Sequence, residues 1–244
     1  MPTEKLMPAE SLMLKIDKLN QYYGQSHTLW DLELDVPQGQ CTCVMGRNGV
    51  GKTTLVKCIM GEEDVKNGSL LFAGDVELTK RKVEDRARLG IGYVPQGRQI
   101  FPLLTVEENL RTGLAVRQDG SKKIPERVYE LFPALKEMKN RRGGDLSGGQ
   151  QQQLAIGRAL VIEPRLLILD EPGEGIQPNI VAQIGDVIRR LIEEDGLTVL
   201  LVEQKLPFAR KYADNFAIMD RGRRVAGGEI AELSDELIKK HLTV

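Results

Sequence analysis

The stretch Gly46 to Thr54, GRNGVGKTT, constrains this chain more than any other. It follows the apolar run Cys41 to Met45, CTCVM, and leads into TTLVKCIM, a helical run that Gly61 is placed to close. The pattern G-x-x-x-x-G-K-[ST] requires a strand before it and a helix after it. Its glycines let backbone N–H groups close around phosphate oxygens, and the helix N-terminus adds a favourable dipole at the same point. Both flanks are present, which argues against a mere glycine turn. Gly46, Arg47, Asn48, Gly49, Val50, Gly51, Lys52, Thr53 and Thr54 are therefore candidate phosphate-binding residues. Lys52 would reach the terminal phosphates, and the Thr53 hydroxyl would ligate magnesium.

Such a loop serves kinases, GTPases and ATPases alike, so other elements must choose among them. In RLLILDEP the apolar run predicts a strand covered on both faces, ending on Asp170 and Glu171. Open parallel sheets place ligands at the carboxyl ends of their strands. Asp170 is thus the candidate for holding a magnesium hydration shell, and Glu171 for orienting and activating an attacking water. TVLLVEQ repeats the layout and delivers Glu203 and Gln204 to the same end. In LSGGQ, Leu146 to Gln150, Ser147 and Gln150 alone read as a capping box opening the helix QQQLAIGRAL.

Taken in order, GRNGVGKTT, LSGGQ and LLILDEP resemble the ATP-binding cassette family, and the resemblance covers nearly the whole chain. It implies an ATPase using ATP and Mg2+. The expected fold is α/β, a P-loop NTPase core with an N-terminal antiparallel β subdomain and an inserted helical subdomain. Core and β subdomain would take about 10–95 and 161–228, the helical subdomain about 96–160, and a short tail 229–244. The resemblance implies that Leu146, Ser147, Gly148, Gly149 and Gln150 cap the nucleotide of a second cassette. It makes Gln96 in YVPQGR a magnesium ligand and link to the helical part, and Tyr23 the ring that stacks on adenine, with Tyr22 beside it or a merely exposed ring as the alternatives. Ile100, Phe101, Pro102 and Leu103 would help form the groove for a membrane subunit, with local packing as the rival reading. Gln204 stands where most cassettes place a histidine that contacts the terminal phosphate. Gly173 and Gln177 also depart from the common Ser/Thr and Asp.

VEQ, EGIQP and GRQIFPLLTVEENL are similar to one ATPase subunit of the hydrophobic amino acid importer group, and VPQGR with IFP points to its urea type. The branched-chain amino acid type and a transporter-free assembly factor are the alternatives. The importer reading implies a second cassette in a heterodimer, two permease subunits and, indirectly, a solute-binding protein.

Composition sets the surroundings. With 34 Lys+Arg against 35 Asp+Glu in 244 residues, no bulk positive charge favours nucleic acid or an anionic membrane surface. No apolar run approaches the roughly 18 residues of a spanning helix. The start MPTEKLMPAESLM lacks the layout of a signal peptide. A cytoplasmic chain held on the inner face of the membrane by its permeases is expected. Cys41, Cys43 and Cys58 lack metal-ligand spacing and read as buried free thiols. Short strands are expected in the N-terminal part, a helical pattern from about Glu84 to Leu160, and then a return to strand and helix. The sheet before and after the insertion is expected to be one sheet.

Overall fold

The computed structural model describes residues 11–117 and 119–242. The stretch read for a leader therefore lies mostly outside the described residues, as do Thr243 and Val244 of the expected tail.

CTCVM, LLILD and TVLLV form β3 (Cys41–Met45), β7 (Leu166–Asp170) and β8 (Thr198–Val202), every residue buried. With β6 (Ile91–Val94), β9 (Asn215–Asp220) and β10 (Arg223–Glu229) they make a six-stranded sheet of order β10-β9-β3-β8-β7-β6. Only β10 runs antiparallel to its neighbour. Alternation along each strand feeds two cores. Cys43, Leu169 and Leu201 face one side, and Val44, Ile168 and Leu200 the other. Each such side chain contributes about 1.5–3 kcal/mol on burial.

A second sheet covers the Val44 side. It consists of β1 (Leu12–Tyr23), β2 (Ser26–Pro37), β4 (Asn67–Phe72) and β5 (Val76–Glu77), all antiparallel in the order β2-β1-β4-β5. The first strands thus make an antiparallel sheet of their own, whereas β3 from before the insertion and β7 to β10 from after it share the other. Of the early strands only β3 enters the parallel layer, and it alone is buried at every position. α1 (Lys52–Met60) packs on this same side. α3 (Val106–Gly113), α6 (Gly148–Leu160), α7 (Pro178–Asp195) and α8 (Leu206–Tyr212) cover the opposite side.

The stretch from Glu84 to Leu160 is not wholly helical, since β6 lies within it. Pro133 separates two short helices. α4 (Glu126–Leu131) ends before it, and Pro133 opens α5 (Pro133–Glu137) from the first helical position, where a missing N–H costs nothing. The tail holds a 3-10 turn at Ile230–Glu232 and α9 (Asp235–His241). Among the described residues no helix is long and apolar enough to cross a membrane.

α1 ends at Gly61, whose φ of 80° suits a residue without Cβ. Arg86, from α2 (Val83–Arg88) and only 2% exposed, completes the cap. Its Nη1 donates to the carbonyls of Cys58 at 2.6 Å and Ile59 at 2.8 Å. A cation there also opposes the negative end of the helix dipole. Replacing Arg86 by Met keeps most of the stem, removes the charged donor from both carbonyls and leaves the Cys58 carbonyl with the Gly61 N–H at 3.3 Å, so unfolding free energy should drop by about 2–4 kcal/mol. Urea titration measures this, and a loss under 1 kcal/mol would contradict the capping role.

Candidate active site

The strand register brings four loops to one edge. Val44 pairs with Val202, Asp170 with Val202, and Val94 with Leu169, so β3, β8, β7 and β6 end nearly level. The phosphate-loop motif follows β3, Gln96 follows β6, Asp170 closes β7, and Glu203 and Gln204 follow β8.

The loop after β3 is built by close approach. A Cβ on Gly46 would stand 2.5 Å from the Met219 carbonyl oxygen, so only glycine fits. Lys52, 6% exposed, turns inward, and its Nζ donates to the carbonyls of Gly46 at 2.8 Å and Arg47 at 2.9 Å. Two of its three ammonium protons thus fix its direction, leaving one for a ligand. Burial lowers the Lys52 pKa, while Glu171, Asp170 and Glu203 oppose that shift.

Asp170 is 2% exposed, and its Oδ2 has no hydrogen-bond partner. Burial first, and then the charge of Glu171, push its pKa up to about 6. An oriented, unsatisfied carboxylate oxygen at this edge suits a divalent cation or its water shell, so the donor set fits magnesium. Gln96 and Thr53 could complete it.

Glu171 sits at φ 48°, a conformation side chains adopt at a cost, and its N–H donates to the Val202 carbonyl at 2.9 Å. Its carboxylate lies between two glutamines. Gln96 Nε2 donates to Glu171 Oε2 at 3.3 Å and to Glu174 Oε2 at 2.9 Å. Gln204 Nε2 donates to Glu171 Oε1 and, at 2.8 Å, to Asn48 Oδ1 of the phosphate loop. The structure therefore joins Asn48, Gln96, Glu171 and Gln204 in one network.

Glu203, which the sequence delivers to this edge without a role, gains one here. It is 3% exposed, and its Oε1 accepts from the N–H groups of Gln204 at 2.7 Å and Lys205 at 2.9 Å. It thereby fixes the turn that aims Gln204. Its Oε2 has no partner, and burial raises its pKa. A Cβ at Gly173 would lie 3.6 Å from that oxygen, so a hydroxyl there would be within its reach. The only sequence signal was a charged residue directly after a buried apolar run.

The other candidates lie elsewhere. Ser147 caps α6, accepting from Gln150 N at 3.3 Å while Gln150 Oε1 accepts from Ser147 N at 2.9 Å. Among the described residues no hydrogen bond joins Ser147 to the glutamate network. Tyr22 and Tyr23 are both exposed; Tyr22 stacks on His27 at 4.0 Å and His27 on Trp30 at 3.6 Å. Gln177 is exposed at the start of α7 and makes no side-chain cap. An open groove of about 590 Å³ is lined by Tyr93, Ile100, Phe101 and Arg158. Phe101 is 47% exposed and Leu103 79%. All three cysteines are buried and free.

Residues 29–174 match the family model described as ABC transporter. The "High-affinity branched-chain amino acid transport ATP-binding protein BraG" of Pseudomonas aeruginosa is 42% identical over 214 residues, 87% of this chain and 91% of its own. The "Probable branched-chain amino acid transport ATP-binding protein LivF" of Archaeoglobus fulgidus is 38% identical over 222 residues, 91% and 94% of the two chains. A solved ATP-binding cassette of an ABC transporter superposes with a TM-score of 0.79 at 28% identity, covering 94% of this chain and 98% of that one.

The buried carboxylate generates a signed prediction. Because the folded pKa of Asp170 is raised, the folded state holds its proton more tightly than the unfolded state. Stability attached to this group is fully present below its unfolded pKa and is lost as pH rises through about 6. In the absence of nucleotide, Asp170→Asn should therefore stabilise the chain at pH 8 by about 1–3 kcal/mol. The gain should vanish near pH 4. Urea midpoints across that range check it, and a pH-independent effect would refute the assignment.

Proposed function

The chain belongs to the ABC transporter family, and from that premise we propose that it is the ATP-hydrolysing subunit of an importer for branched-chain amino acids. Its ATPase character follows from the family. The observation that carries the site assignment is the Glu171 carboxylate held between Gln96 and Gln204, facing the phosphate loop. Lys52 and the backbone of Gly46 to Thr54 bind the phosphates. Glu171 accepts the proton of the attacking water. Gln204 gives up its bond to Asn48 and donates to a terminal phosphate oxygen, as a neutral imidazole N–H would, but it cannot titrate near neutral pH. Thr53, Gln96 and, through water, Asp170 would hold magnesium, which would supply charge neutralisation on the phosphates. Tyr23, free of ring contacts among the described residues, stacks on adenine.

Leu146 to Gln150 serve a second cassette's nucleotide: the Ser147 hydroxyl, at the N-terminus of α6, is exposed and, among the described residues, no hydrogen bond joins it to this chain's own glutamate network. Departures at Gln177 and Gln204 favour a different cassette as partner. The exposed Phe101 and Leu103 beside the groove favour a permease segment as its occupant. That contact would hold the chain on the inner membrane face, with a solute-binding protein acting beyond the permeases. The relatives' names favour branched-chain amino acids over the urea type expected from VPQGR and IFP.

Lys52→Ala should abolish ATP binding by calorimetry with the fold retained. In the assembled transporter Gln204→Ala should lower turnover about 10²- to 10³-fold with ATP affinity little changed. Glu171→Gln should give an ATP-bound assembly that does not turn over. Full turnover by that variant would place hydrolysis at the partner's site. For the solute, binding protein loaded with leucine should stimulate ATP hydrolysis and binding protein loaded with urea should not. The reverse result would restore the urea reading.

A further inference from the structure

Three consecutive residues after Gln96 adopt left-handed backbone: Gly97 at φ 78°, Arg98 at 70° and Gln99 at 46°. Two of them carry side chains, so the turn is held against its own preference. What it achieves is the placement of one guanidinium. Arg98 Nη2 lies 3.3 Å from the Glu174 carbonyl oxygen and 3.4 Å from that of Gly175, in the segment that follows Glu171. Its Nη1 lies 3.4 Å from Gln151 Oε1 in the first turn of α6. The same group covers Gly148, where an added Cβ would stand 3.3 Å from Nη2.

Gln151 carries the contact onward. Its Nε2 donates to the carbonyls of Leu146 at 3.2 Å and Gly143 at 3.4 Å. Those acceptors fix which amide atom is nitrogen, so its oxygen is the atom left for Arg98. Behind Arg98, Arg158 Nη2 donates to the Arg98 carbonyl at 3.5 Å, and the Arg158 guanidinium stands 5.3 Å from the exposed Phe101 ring. One side chain therefore touches the segment after the glutamate and the segment opened by Ser147, from a loop that borders the groove.

We propose that Arg98 is a positioning residue that sets the Glu174–Gly175 segment and the Leu146–Gln150 segment relative to each other, with Gln151 as its relay. The fork of a guanidinium can hold two carbonyls and an amide oxygen at once, whereas an ammonium is a single point. The role of this coupling in turnover rests on the site assignment above, whereas the positioning itself does not.

Hydrogen exchange on the full chain tests the positioning directly. Arg98→Ala should speed exchange about tenfold in both 146–151 and 174–178, with β3 and α1 unchanged. Gln151→Ala should loosen only the first segment. Arg98→Lys, which keeps the charge, should restore one segment and not both. Unchanged exchange in Arg98→Ala, loosening of one segment alone, or full restoration by lysine would each overturn the proposal. In the assembled transporter Arg98→Ala should lower kcat about tenfold while KM for ATP stays within about twofold, and adding Gln151→Ala should cost little more. A dead Glu171→Gln enzyme beside an Arg98→Ala enzyme of normal kcat would sink this inference alone. Full turnover by Glu171→Gln would instead sink the site assignment, leaving the exchange result to stand.

Discussion

The structure is organised around charge sealed from water at one edge of a sheet. Lys52, Asp170 and Glu203 are all buried there, and both carboxylates keep an oxygen without a partner. Charges in such a place are tolerated only when neighbours face them in fixed geometry. The level ends of β3, β7 and β8 supply that geometry. So do the two carbonyls that aim Lys52, and the two backbone N–H groups that hold Glu203. The cap on α1 by Gly61 and Arg86 serves the same end, since a frayed helix would loosen the residue at its start.

Glycine spacing and buried apolar runs carry information in one dimension, and the parts of the fold that depend on them were legible in the sequence. The loop after β3, the acidic end of β7 and the polar end of β8 each announce themselves within a few residues. What could not be read is whatever depends on register between distant strands. The meeting of Gln96, Glu171 and Gln204 joins residues 75 and 33 positions apart. The short β6 lies hidden in a helical pattern because four residues, IGYV, carry too little periodicity. The division of the strands into two sheets follows from packing of faces. The Arg98 contacts depend on left-handed backbone at non-glycine residues, which composition does not signal. The solute was least legible, because nothing in this chain would touch it.

Two departures from the common cassette pattern have a shared physical context. Glu203 brings a buried carboxylate oxygen toward Gly173, and the Lys205 ammonium donates to the Gly173 carbonyl at 2.8 Å. Position 173 is thus tied to the β8 loop from its backbone. A glycine leaves room beside Val181, whose Cγ1 would lie 3.2 Å from an added Cβ. The loop that aims Gln204 and the segment after Glu171 are therefore one packed unit.

The chain leaves the parallel sheet at Val94 in β6 and re-enters it at Leu166 in β7, and these two strands are neighbours at the sheet's edge. Everything between them closes on itself without threading the remaining strands. Lineages can lengthen, shorten or exchange that stretch, groove included, while inheriting the rest of the sheet unaltered. If that groove receives a permease segment, as proposed, an ATP-driven engine of this kind could be refitted to a new membrane partner by changing one contiguous block of its gene.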